Sequence, residues 1–266
     1  MPVGLIMSVT ALIALVPVAL LPFRSDHRRD PTFWILLAVA IAGPLGVVYV
    51  LFAPSWRTGL SSALWLTIAV SLVIFAGLAA RARVAWRLIP LLLPYLFLFG
   101  VVATIWQNQP ERPLVDAGLS AWTQMHIGLA VIAYGLVTIG AVAGLSVFLQ
   151  ERALKTKRPT MLTHMLPSVS EGEELQSRLL TASAIVLGCG VVSGMASQYF
   201  VDGSVFPFAH KAVLSLIALA VIVFLLVAER RTGVRGRRVA RIVLLAYLLL
   251  TLAYPGVKFV TDVLLA

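Results

Sequence analysis

Charge is what this chain has least of. Only 12% of its 266 residues are Asp, Glu, Lys or Arg, where a soluble domain carries about 25%, and 60% are hydrophobic. An ordinary water-soluble fold is thereby excluded, and the chain reads as an integral membrane protein. Cysteine is almost missing too. Cys189 stands alone inside an apolar run, so neither a disulfide framework nor a Cys-rich metal cluster is available. Neither the G-x-x-x-x-G-K-[ST] phosphate loop nor the G-x-S-x-G nucleophile elbow occurs, which leaves an ATPase and a serine hydrolase without support.

What the chain has in quantity is long apolar runs. Eight segments, at about 3–22, 33–53, 60–80, 88–106, 125–149, 180–199, 210–229 and 240–262, are each long enough to cross a hydrocarbon core of about 30 Å at 1.5 Å per residue. The expected fold is all-α: one polytopic membrane bundle over residues 1–266, with no internal repeat. The first run lacks a Lys or Arg before Leu21 and is followed at once by RSDHRRD, so it is expected to stay as a helix rather than act as a cleaved signal.

Basic residues set the expected orientation. Seventeen of the 21 Lys and Arg fall in the loops after segments one, three, five and seven, while Arg57, Arg112, Lys211 and Lys258 lie on the other side. The positive-inside rule then puts both termini outside and the basic loops in the cytoplasm of a bacterial inner membrane. A solvated fringe beside lipid headgroups accounts for the net charge of +10, and no nucleic acid partner is called for. His27 and His164 fall in the basic loops and read as solvated surface.

The longest connections are about 107–124 and 151–180, neither large enough for a folded domain. Within the second, VSEGEELQSRLL reads as an amphipathic turn or short interfacial helix, capped by Ser168 or Ser170, with Glu171, Glu173 and Glu174 at its positive end. Gly140 with Gly144, and Gly190 with Gly194, form GxxxG spacings that let helices approach closely.

The remaining histidines, His126 in WTQMHIGLAVIAY and His210 in FPFAHKAVLSLIAL, each open a long apolar segment on the same expected side. Ionisable groups at a membrane boundary are costly, so the pair is a site hypothesis. Helical repetition puts Leu129, Ala130, Ala133 and Val137 on the stripe of His126, with Tyr134 one residue off it, and Val213, Leu214 and Ile217 on that of His210. Two imidazoles flanked by apolar stripes suit axial ligation of a haem iron; the alternative is two hydrogen-bonding interfacial residues. A zinc or iron hydrolase would need three or more converging ligands, and that side offers mainly Glu111, Asp116, Asp202 and Asp262. A coupled transporter would want charge at mid-membrane or paired broken helices, whereas Pro44 with Gly43 and Gly46 is a single interruption.

The segment MHIGLAVIAYGLVTIGAVAGLSVFLQERALK resembles the core helix of the cytochrome c assembly superfamily, of CcsA, CcmC and HemX type, in which a His and a small–aromatic pair, here Ala133 and Tyr134, precede a basic loop. AHKAVLSLIALAVIVFLLVAERRTGVRGRR resembles that family's next block. The likeness is closest to its short HemX- or YpjD-like inner-membrane members, and it covers about 60–262, best from about 120 onward. It implies handling of haem b at the outer face, with His126 as first axial ligand, His210 as second, Lys211 near a propionate or a lipid headgroup, and Tyr134 among the cofactor-binding residues. Other cytochrome c assembly proteins or apocytochrome c are the implied partners, besides membrane lipids. Arg235, Arg237 and Arg238 match the family's basic loop and read as topology determinants.

The departures limit that role. All six tryptophans lie at or before Trp122, so the tryptophan-rich presenting motif between the histidines is missing, and Val234 stands where relatives have Trp. The expected activity is therefore haem binding accessory to delivery or attachment, not a complete synthetase. The alternatives are a haem-free membrane regulator or scaffold working through 151–179, and a small-molecule permease along helices two and five.

Overall fold

Away from water a lone backbone segment satisfies its own N–H and C=O groups only as a helix, and every long apolar run of this chain is one. The computed structural model describes residues 2–23, 30–53, 59–108, 121–202, 210–233 and 236–260, and no strand occurs among them. The helices are α1 (Pro2–Leu20), α2 (Pro31–Phe52), α3 (Leu60–Arg81), α4 (Ile89–Ile105), α5 (Ala121–Thr156), the short α6 (Met161–Met165), α7 (Val169–Asp202), α8 (His210–Thr232), α9 (Arg237–Thr251) and a last turn α10 (Val257–Phe259). Eight helical stretches among the described residues are long and apolar enough to cross a membrane, in agreement with the number read from sequence.

Local chemistry fixes the boundaries. Asp30 caps α2 by accepting from the Phe33 amide, and Pro31 fills the first helical position, where an absent N–H costs nothing. Pro44 does not break α2, which runs through it without interruption. Between α9 and α10, Leu252–Gly256 is a π-helical turn holding Pro255, whose ring nitrogen has no proton for the α-helical ladder.

The largest difference from expectation lies at 169–180. These residues do not form a separate interfacial helix; they are the first three turns of α7, a single helix of 34 residues. No breaker separates them from the span, and a reciprocal cap starts the helix: the Ser168 amide donates to Glu171 and the Glu171 amide to Ser168 Oγ. Ser168, one of the two caps read from sequence, is thus the one used. With 36 residues in α5, the two helices run about 54 and 51 Å, well beyond an apolar thickness of about 30 Å. The excess is at the end bearing Arg152, called here the basic end, because His126 and Gly194 pack together near the opposite one. Gln150 closes this helical hairpin, its amide donating to the carbonyls of Thr163, Leu166 and Pro167.

Both GxxxG pairs serve the α5–α7 contact, each at its own level. A Cβ on Gly140 would meet Leu179 at 3.5 Å and one on Gly144 would meet Gln176 Oε1 at 2.9 Å. Toward the other end, a Cβ on Gly190 would meet Leu129 at 3.7 Å. The core divides into two parts sharing α5 and α7. One joins α1 to α4 around Trp65, Phe75 and Leu93; the other joins α5, α7, α8 and α9 around Tyr134, Leu180, Ile222 and Val243. Within the second, α7 and α9 each touch both α5 and α8, which therefore stand diagonally across a four-helix group. α3 packs against both α2 and α5.

Candidate functional site

His126 stands in the second turn of α5 and lays its imidazole over the glycine face of α7. Its Nδ1 is 2.9 Å from the Gly190 carbonyl oxygen and 3.2 Å from Ser193 Oγ, and Ser193 Oγ donates to the same carbonyl at 2.8 Å. A Cβ at Gly194 would sit 2.7 Å from Cε1, so the ring occupies the space this glycine leaves. The residue is half-buried, and no described residue hydrogen-bonds its Nε2.

α8 begins at His210, eight residues after α7 ends, so its backbone start lies at the same end of the bundle as His126. The structure thus brings the two histidine positions to one end, on diagonal helices of one four-helix group. The side chains of His210 and Lys211 lie outside the described residues. On the described part of α8, Ala218, Ile222 and Leu225 are buried, while Val213 and Ile217 are 42% and 43% exposed.

Tyr134 lies two turns, about 12 Å, below His126 on α5. It is buried, and its hydroxyl sits 3.1 Å from Thr251 Oγ1 and 3.3 Å from the Tyr247 hydroxyl. Thr138 reaches the Tyr247 hydroxyl at 3.3 Å, and Tyr95 of α4 hydrogen-bonds it from the other half of the molecule. The ring of Tyr254, in the π-helical turn, closes over Tyr134 at 6.1 Å between centroids. Five hydroxyls from α4, α5 and α9 therefore meet near the middle of the bundle, and each finds a partner there.

Sequence reasoning singled out Tyr134 and missed the rest of this cluster. A signal was present: Tyr134 with Thr138, and Tyr247 with Thr251, repeat one Tyr-x-x-x-Thr spacing, which sets phenol and hydroxyl on one helix face. In both pairs the threonine donates back to the carbonyl of its tyrosine, at 2.8 and 2.9 Å. Ser193 was also missed, since nothing in the sequence relates it to His126. Among the described residues no three His, Cys, Asp or Glu side chains converge.

The profile of a known family, described as cytochrome C assembly protein, matches residues 45–265, a span that includes His126, the tyrosine cluster and the start of α8. The chain belongs to the cytochrome c assembly family. It is 50% identical, over 98% of both chains, to an Azospirillum brasilense protein described as an uncharacterized 28.8 kDa protein in the nifR3-like 5' region. It is also 27% identical to the inner membrane protein YpjD of Escherichia coli K12, over 70% of this chain and 68% of YpjD. The cytochrome c biogenesis protein CcsA of Parasynechococcus marenigrum is 25% identical over 57% of each chain. No solved structure matches. Membership of the cytochrome c assembly family supports a role in cytochrome c biogenesis, and the apolar helices make the protein membrane-integral.

Proposed function

We propose that this cytochrome c assembly protein binds haem b noncovalently, as cargo, where α5 and α8 begin. His126 serves as the first axial ligand through Nε2, His210 as the second, and Lys211 meets a propionate or a lipid headgroup. The observation that carries this reading is the state of His126. A histidine whose one ring nitrogen is engaged by a backbone carbonyl, and whose other has no partner among the described residues, has the arrangement found in metal-ligating histidines generally. Tyr134 closes the floor of the site from below, its hydroxyl already held by Tyr247 and Thr251. The positive-inside rule, applied to the basic loops, supports an outer-face position for this end, where haem would be passed to other assembly proteins or to apocytochrome c.

The test is the absorption spectrum of protein purified in detergent from haem-replete cells. A Soret band is expected, lost in His126→Ala and weakened or shifted in His210→Ala. A haem-free preparation, or a spectrum indifferent to both substitutions, overturns the reading. One observation favours a second reading, a haem-free regulator or scaffold: the paired ends of α5 and α7 form a helical hairpin at the basic end, closed by Gln150. That reading requires partner capture to depend on the hairpin and not on His126.

A further inference from the structure

Which nitrogen of His126 carries its proton follows from what surrounds Nδ1. The Gly190 oxygen, 2.9 Å away, has only lone pairs to offer. A bare Nδ1 would set lone pair against lone pair, whereas a protonated one donates. The Ser193 hydroxyl has one proton and directs it to that same carbonyl at 2.8 Å, which leaves its oxygen as an acceptor 3.2 Å from Nδ1. One arrangement satisfies all three atoms: Nδ1–H shared between Gly190 O and Ser193 Oγ. A neutral imidazole holds a single proton, so Nε2 keeps its electron pair.

We propose that Gly190, Ser193 and Gly194 of α7 are positioning residues that lock His126 in the Nδ1–H form, presenting the bare Nε2 to a Lewis-acidic metal centre. Gly194 supplies the space: a Cβ there would lie 2.7 Å from Cε1 and 3.2 Å from Nδ1, so any side chain pushes the ring off the Gly190 carbonyl. Gly190 supplies its backbone carbonyl, and Ser193 keeps the ring from swinging toward a second orientation. The GVVSG run thus shapes the site as well as helix packing. The identity of the occupant rests on the haem reading above; the tautomer does not.

The test separates the two. Protein labelled with 15N at its four histidines is studied without haem in lipid bilayers by magic-angle-spinning NMR at a pH where imidazole is neutral, and His126→Gln assigns the signal. The expected His126 pattern is a protonated Nδ1 and an unprotonated Nε2. Gly194→Ala is expected to abolish that pattern and weaken ferric haem binding at least tenfold. Ser193→Ala, which creates no overlap, is expected to leave a mixture of tautomers and a smaller loss of affinity. A wild-type spectrum showing Nε2–H overturns the lock even if haem binds. An Nδ1–H spectrum in protein that takes up no haem upholds the lock and overturns the occupant.

Discussion

On α5, His126 and Tyr134 lie two helical turns apart and meet different surroundings. His126 rests half-buried on Gly190 and Gly194 with one ring nitrogen engaged and the other without a described partner. Tyr134 is 2% exposed, and its hydroxyl is held by Tyr247 and Thr251. Among the described residues, the first keeps a ring nitrogen with no partner, while the second has its hydroxyl engaged by two others. In an apolar bundle, unspent capacity marks a place where a ligand can enter, and saturated capacity marks a place where helices are held together. The tyrosine cluster ties α4 and α9 to α5, and so joins the two parts of the core.

Substitutions that separate these two roles test the contrast. The largest effect is expected for Tyr134→Ala. It empties a buried aromatic volume and removes a partner from Tyr247 and Thr251, and the cost should reach about 3–5 kcal/mol. Denaturation in detergent measures it, and a change below about 1 kcal/mol would mean the cluster is not a clasp. His126→Ala should behave in the opposite sense. Haem affinity is expected to fall at least about 100-fold, equivalent to about 2.7 kcal/mol. Stability should change by about 1 kcal/mol or less, because a half-buried ring gives up hydrogen bonds of modest net worth. If His126→Ala unfolds the protein while binding survives in Tyr134→Ala refolded samples, the assignment of the two roles is reversed.

Much of this was legible from residues, and the reasons for what was not are physical. Eight spans follow from hydropathy because a helix in lipid must be apolar over its crossing length, and the structure keeps that number. The three extra turns of α7 escaped because VSEGEELQSRLL is polar, and polarity ends a membrane crossing without ending a helix. Ser168 with Glu171 did carry the start signal for that longer helix. The candidate site was legible on α5, where His126 stands out against apolar neighbours. Its support from Ser193 was not, since the two are 67 residues apart and meet only through packing of α5 on α7. Likewise Tyr134 gave no hint that Tyr95 of α4 would reach across from the other part of the core.

A smaller effect probes the basic end, where nothing depends on the histidine. Gly236 opens α9 with φ of 72°, in the region that side-chain-bearing residues avoid, and a Cβ there would overlap the Glu151 carboxylate. Gly236→Ala should therefore lower stability by about 1–2 kcal/mol through backbone strain and displacement of Glu151, with haem affinity unchanged. A matching loss of affinity would show that the two ends of the bundle are coupled, and would blur the contrast between site and clasp.

The finest division lies within the cluster itself. The Tyr247 hydroxyl touches those of Tyr95, Tyr134 and Thr138, so Tyr247→Phe removes a hydrogen-bond partner from all three. Its cost should be about 1–2 kcal/mol, near the upper range measured for hydrogen bonds between membrane helices. Tyr95→Phe removes only a peripheral member. Tyr247 keeps Thr138 and Tyr134, both rings stay packed, and the loss should be close to the average of about 0.6 kcal/mol. The ratio of the two is the informative quantity, because both variants delete one oxygen from a phenol. Equal losses would mean that each tyrosine acts through its own packing. A Tyr247 loss two or three times that of Tyr95 would mean that the five hydroxyls act as one network, turned toward one another and holding the helices together.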